Sequence, residues 1–105
     1  MRLITGTAEL NGRPSGWSGH ELALFSCAAE LLSSRAIRIE TDYGLTDEGE
    51  PWLVFCNAES ADVCGHFARM REGYVACIPF RDDGLRGGEL RDVLGRFLWR
   101  RGIAW

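Results

Sequence analysis

The chain has 105 residues, of which 46% are hydrophobic and 26% are charged. These values are typical of one folded globular domain and exclude collagen, coiled-coil and disordered chains. The net charge of −3 excludes a uniformly basic nucleic-acid binder, and the absence of lysine excludes Schiff-base and P-loop lysine chemistry.

The chain begins with a strand pattern over residues 2–10, and residues 11–16 have the composition of a turn. A helix is predicted over residues 19–35. Ser18 and Glu21 have the spacing of a capping box, in which the Ser18 hydroxyl and the Glu21 carboxylate satisfy backbone N–H groups of the first turn. The sequence therefore fixes the start of this helix more firmly than its end.

The apolar face of this first helix is wide. Trp17 and Leu22 flank the cap as a possible hydrophobic staple. The apolar residues cover about half of the helical circumference, which is more than a surface helix needs. We expect the helix to be deeply buried or shared with a partner.

Alternating and apolar runs predict four further strands, at residues 36–43, 52–56, 63–69 and 74–80. Residues 44–51 and 81–88 have loop composition. A second helix is predicted over residues 89–101, with Gly102 at the left-handed position after it and Ile103 in contact with Leu98. The β-α-β-β-β-β-α order predicts a single α+β domain over residues 1–105, with an antiparallel sheet of about five strands and two helices.

The predicted meander is apolar on both faces, as adjacent pairs such as Val54 and Phe55 show. A sheet covered on one side only alternates more cleanly between apolar and polar residues. Since two helices are too few to cover both faces, we expect a homodimer.

The cellular setting follows from what the sequence lacks. The first residues do not form the apolar run of about 7–15 residues that a secretory signal needs. No segment approaches the roughly 18 apolar residues of a membrane span. We therefore expect a cytoplasmic protein with no membrane partner and with reduced thiols at its four cysteines.

A candidate metal site lies on the predicted meander. If Cys56 pairs opposite Cys64 and Ala68 opposite Cys77, then Cys56, Cys64, His66 and Cys77 share one face of the sheet. Thiolates and imidazole bind zinc, or form a nucleophile–base pair. The cysteines have no CxxC spacing, so we favour their role as small buried hydrophobic residues, and zinc is the one cofactor left open.

An acidic stretch is the second candidate. Carboxylates at this density can bind a hard cation, but the stretch lacks the spacing of a calcium loop. We interpret it as a solvent-facing surface beside an edge strand. Its members are Glu40, Asp42, Asp47, Glu48 and Glu50.

The C-terminal helix is the third candidate. Trp99 lies about 180° around the helical wheel from the apolar stripe, so we expect it to be exposed. Arginine beside exposed tryptophan is typical of a protein-binding hot spot, although packing on the domain and nucleic-acid binding are alternatives. The acidic net charge makes nucleic acid the weakest of the three. The predicted partner-binding residues are Arg91, Arg96, Trp99, Arg100 and Trp105.

No catalytic motif is present, so the sequence predicts a non-enzymatic interaction or regulatory module. Two alternatives remain open. One is a thiol- or zinc-binding protein using the cysteine–histidine cluster, and the other is weak nucleic-acid binding by the arginine-rich helix.

Overall fold

A computed structural model describes residues 9–10, 13–34, 37–77 and 84–105. The predicted segments 2–8, 11–12, 35–36 and 78–83 lie outside the described residues. The described elements are β1 (Glu9–Leu10), β2 (Arg13–Pro14), α1 (Gly19–Ser33), β3 (Ile39–Leu45), β4 (Pro51–Asn57), β5 (Val63–Met70), β6 (Gly73–Cys77), β7 (Leu85–Gly87) and α2 (Leu90–Trp99). No helix in this part of the chain is long and apolar enough to cross a membrane.

The predicted α+β class is confirmed. Strands β3 to β7 form a five-stranded antiparallel sheet in chain order, and one helix precedes it while the other follows it. The fifth strand differs from the prediction. It is β7, which we assigned to a loop, whereas β1 pairs with β2 in a separate two-stranded sheet. The three residues Leu85–Gly87 are flanked by glycines and are too few to show the alternation of a strand. They form a strand because they pair with β6.

The start of α1 follows from its cap. The Ser18 hydroxyl accepts from the Glu21 N–H at 3.1 Å, and the Glu21 carboxylate accepts from the Ser18 N–H at 2.8 Å. The predicted capping box is confirmed. The preceding Trp17 is fully buried and packs edge-on against Phe25 with ring centroids 4.9 Å apart.

Both described helices pack on the same face of the sheet. Phe25 of α1 and Phe97 of α2 each contact Phe55 of β4 and Phe67 of β5, with ring centroids 5.0–6.2 Å apart. Three of these four pairs are edge-to-face, which is an arrangement that aromatic quadrupoles favour, and the Phe55–Phe97 pair is tilted. Gly65 leaves the space that Phe97 occupies, since a Cβ there would lie 2.6 Å from its ring. The core is therefore one layer of side chains between the helices and one sheet face.

Candidate protein-binding surface

The end of α2 sets the position of the last residues. Gly102 adopts a left-handed backbone with φ of 72°, and its N–H donates to the Trp99 carbonyl at 2.9 Å. The Ile103 N–H donates to the Leu98 carbonyl at 3.0 Å, and Ile103 is buried. These two bonds form the predicted Schellman motif, which is confirmed. The motif turns the chain back towards α2 and brings Trp105 to its outer face.

The outer face of α2 carries a ridge of residues spaced four apart, which are Arg91, Gly95 and Trp99. Gly95 is a notch in this ridge. A Cβ built on Gly95 would lie 3.4 Å from Trp105 Cδ1, so the Trp105 indole rests over the bare backbone. A side chain much larger than a methyl group would displace it. Trp99 is 73% exposed, as the helical wheel predicts, and Trp105 is 40% exposed.

All five predicted partner-binding residues line one open groove on this face, with a volume of about 600 Å³. We call it the C-terminal groove, and its lining is Leu85, Glu89, Arg91, Asp92, Gly95, Arg96, Trp99, Arg100 and Trp105. The alternative that the tryptophans pack on the domain holds in part for Trp105, which contacts α2, but not for Trp99.

The arginines near the groove differ in their contacts. Arg96 forms an ion pair with Asp92 at 3.3 Å and donates to the Arg86 carbonyl, so it also fastens α2 to β7. Arg101 points the other way. Its guanidinium lies 4.0 Å from the Phe97 ring centroid and donates to the Cys64 carbonyl at 2.6 Å. The charge that faces the groove therefore comes from Arg91, Arg96 and Arg100, against the two acids Glu89 and Asp92.

A second groove of about 590 Å³ lies between α1 and the chain's C-terminal residues. We call it the inter-helix groove, and its lining is Leu24, Cys27, Glu30, Leu31, Arg91 and Trp105. The two grooves share Arg91 and Trp105. The wide apolar face of α1 is thereby explained: one side of it packs into the core through Phe25, Ala28 and Leu32, and the other side lines this groove.

The register of the sheet corrects the predicted cysteine–histidine cluster. Cys56 lies opposite Val63 rather than Cys64, because an irregularity at Phe55/Cys56 inserts one extra residue into β5. Ala68 lies opposite Val75, and His66 lies directly opposite Cys77 instead of diagonal to it. Such a bulge leaves no signal in the period-2 pattern, so the sequence could not give this register.

Cys56, Cys64, His66 and Cys77 do not converge as a metal site. The described residues contain no group of three or more His, Cys, Asp or Glu side chains placed to hold a metal ion. All four cysteines are free thiols, and Cys64 packs against the core. Burial raises the pKa of the Cys56 thiol, and Cys64, Asp42 and Glu40 raise it further. The raised pKa disfavours the Cys56 thiolate, which is the reactive form of a cysteine.

The acidic stretch divides between two places. Glu40 and Asp42 lie on β3, which is the end strand of the five-stranded sheet. Asp47 and Glu48 are exposed in the turn between β3 and β4, which is closed by a hydrogen bond from the Thr46 N–H to the Glu50 carbonyl. This is the solvent-facing arrangement that we expected.

A buried polar cluster joins α1 to the sheet, and the sequence did not reveal it. Glu21 is only 6% exposed. Besides the Ser18 N–H, its carboxylate accepts from Arg69 at 2.6 Å and from the Tyr74 hydroxyl at 2.5 Å. The capping spacing identifies Glu21 but not partners 48 and 53 residues away along the chain. Every carboxylate oxygen is satisfied, so we assign the cluster to stability.

Comparison with known proteins adds no family assignment. No protein-family model matches the chain, and no curated protein or solved structure matches it either. Function is therefore argued from the geometry of the described residues.

Proposed function

We propose that this chain is a non-enzymatic interaction module that binds a protein segment through the C-terminal groove and the adjoining inter-helix groove. The observation that carries the proposal is the exposure of Trp99, at 73%, in a groove that also presents arginine. Tryptophan and arginine supply most binding hot spots, because both contribute large contact areas and directional interactions. A tryptophan left in water without a partner forgoes the free energy of burying that area.

The chemistry of the two grooves defines the partner. The inter-helix groove offers Leu24, Leu31 and the face of Trp105, which suit apolar side chains. The C-terminal groove has three arginines against two acids, which favours carboxylates. Because Arg91 and Trp105 belong to both, one ligand can occupy the two together. The matching partner is an amphipathic acidic segment, with apolar residues on one side and carboxylates on the other.

The other function classes find less support in these contacts. The net charge of −3 gives the chain little long-range attraction for a phosphate backbone. The described residues contain no group of three or more His, Cys, Asp or Glu side chains placed to hold a metal ion, and the raised pKa of Cys56 disfavours the thiolate that nucleophilic catalysis needs.

We also propose that the protein acts in the cytoplasm and as a homodimer. The four free thiols support a reducing compartment, since such thiols persist there. The surface that supports a dimer is the sheet face opposite the two helices.

The test of partner binding uses a labelled synthetic peptide designed as an amphipathic helix, with leucine on one face and glutamate on the other. Fluorescence anisotropy measures its affinity for the wild-type protein, for Trp99→Ala and for Met70→Ala. Met70 is an exposed apolar residue outside both grooves, which makes it the matched control. We expect Trp99→Ala to weaken binding by about 30-fold or more, because hot-spot truncations cost about 2 kcal/mol or more. Met70→Ala should bind like wild type.

Two further probes test whether the grooves prefer an acidic segment to a basic one or to nucleic acid. One is the same peptide with lysine in place of glutamate, and the other is a single-stranded oligonucleotide. The lysine peptide should bind more weakly than the glutamate peptide. Equal affinity of Trp99→Ala and wild type for the glutamate peptide would contradict the proposal. Tighter, steeply salt-dependent binding of the oligonucleotide would replace it with the nucleic-acid alternative.

A further inference from the structure

The sheet has a second face, which neither described helix covers. Leu53, Phe67 and Ala76 point into the core. Because side chains alternate along each strand, their sequence neighbours point to the opposite face of the sheet. The centre of this open face is largely apolar and half-buried at Trp52, Val54, Ala68 and Val75. It also includes the exposed His66, which lies between Val54 and Cys77. The Trp52 indole lies across β3, since a Cβ on Gly44 would be 2.6 Å from its Cζ2. The Trp52 and His66 rings also pack edge-to-face, with their centroids 6.3 Å apart.

The charged residues of the open face stand at its two opposite edges. Glu40 and Asp42 lie on β3, opposite Cys56 and Val54 of β4, at one end of the sheet. Arg38 precedes β3 and lies 4.0 Å from Glu40, so this edge carries two acids and one base. Arg86 lies on β7 at the other end, opposite Val75 of β6. All four charged side chains are exposed. The face therefore runs from an edge of net negative charge through a largely apolar centre to a basic edge.

Two copies of this face have complementary charges when they are related by one particular two-fold axis. When two copies stack face to face about an axis parallel to the strands, β3 of one copy lies over β7 of the other. Acidic edges then meet basic edges twice. An axis perpendicular to the strands would place β3 over β3 and bring like charges together, which is unfavourable. We infer that the open face is a homodimer interface in which β3 of each copy lies over β7 of the other.

The size of the face fits this role. Five strands spaced about 4.8 Å apart, with an average length near 20 Å, present about 500 Å² per copy. A pair then buries about 1,000 Å², which is the lower limit for a specific interface between proteins. Packed sheets align within about 30° because each is twisted. Arg86 and Asp42 stand one row of side chains apart along the strands, about 7 Å, which an arginine side chain spans.

The arrangement leaves the two binding grooves free. Both helices lie on the core face, so the stacked pair presents its helices, and with them the C-terminal and inter-helix grooves, on its two outer sides. This inference names the surface of the homodimer proposed above and rests on that proposal. It is independent of the proposed partner binding, because the two surfaces lie on opposite sides of the sheet. Dimerisation and partner binding can each fail without the other.

Sedimentation velocity over a range of protein concentrations provides the test. We expect the wild-type mass to rise towards twice the 11.7 kDa of the chain as concentration increases. Val54→Asp places a charge at the centre and should abolish the dimer. Arg86→Glu and Asp42→Arg each create like-charge contacts and should weaken the dimer about tenfold or more. The double variant Asp42→Arg/Arg86→Glu should recover most of the wild-type affinity.

Glu59→Arg is the matched control, because it makes the same charge change as Asp42→Arg in the exposed turn between β4 and β5 and should leave the mass unchanged. Circular dichroism confirms that each variant is folded. If Val54→Asp does not fold, the exposed charge variants still decide the question. A wild-type chain that stays monomeric at every concentration would overturn the inference, as would single reversals that the double variant does not rescue. Loss of the dimer in Trp99→Ala instead would move the interface to α2.

Discussion

The cluster of Glu21, Arg69 and Tyr74 allows a sharp test of how α1 is held to the sheet. Tyr74→Phe removes the hydroxyl that donates to the Glu21 carboxylate at 2.5 Å and changes nothing else in shape. A hydrogen bond to a charged acceptor contributes about 1.5–3 kcal/mol to stability. The site is half-buried at Tyr74, so we expect the variant to lose about 2 kcal/mol of the free energy of unfolding.

The pKa values give the same cluster a pH signature. Burial, followed by the hydrogen bond to Glu21 and its charge, raises the pKa of Tyr74 from 10.0 to about 12. An unfolded chain ionises this tyrosine first, so the stabilisation is complete below pH 10 and is lost as pH rises to about 12. The shift corresponds to about 2–3 kcal/mol. Burial alone would raise the pKa of Glu21, but hydrogen bonds from Ser18, Tyr74 and Arg69 lower it below its ordinary 4.5. Stability from Glu21 is therefore present above pH 4.5 and declines as pH falls through the lowered pKa.

Urea unfolding of four proteins measures these effects: wild type, Tyr74→Phe, Glu21→Gln and the double variant. In the Glu21→Gln background, Tyr74→Phe should cost less than about 1 kcal/mol, because the charged acceptor is gone. Wild type should lose more stability than Tyr74→Phe between pH 10 and 12. An equal cost of Tyr74→Phe in both backgrounds would refute the reasoning, since the two residues would then be energetically independent.

Two further outcomes follow from packing and from the thiols. Gly65→Ala should lower the free energy of unfolding in urea by about 1–3 kcal/mol, because its Cβ would lie 2.6 Å from the buried Phe97 ring. Gly19→Ala is the control, because a Cβ there has no neighbour within 4 Å. Equal losses in the two variants would contradict the argument. Iodoacetamide should modify the exposed Cys27 and Cys77 before Cys56, whose pKa is raised, and mass spectrometry measures the order of labelling. Elemental analysis of the purified protein should find no stoichiometric zinc. Preferential labelling of Cys56 would restore the thiol hypothesis.

The local features of this chain could be predicted from its sequence because their causes are local. The Ser18–Glu21 cap and the Gly102 turn each depend on residues within a few positions of one another. The exposure of Trp99 follows from helical periodicity alone. These features define half of the candidate surface, since the helix and its C-terminal turn carry all five predicted binding residues.

Features that depend on tertiary contacts could not be predicted. Strand β7 forms because β6 offers it a partner, while its own glycine-flanked residues have loop composition. The irregularity at Phe55/Cys56 changes the partner of Cys56 without changing the alternation around it. The inter-helix groove likewise requires Trp105 to lie near α1, which brings together residues about 75 positions apart that no short-range pattern connects.

The order of the strands has a consequence for the speed of folding. In the five-stranded sheet each strand pairs with its neighbour in the chain, so every pairing closes a short loop. Short loops lose little chain entropy on closure, and proteins with few long-range pairings cross their folding barrier quickly. The distant contacts are those of the two helices, where Phe25 of α1 meets Phe67 and Phe97 of α2 meets Phe55. The kinetic cost of this topology is thus concentrated in the docking of the helices on a sheet that successive hairpins can assemble.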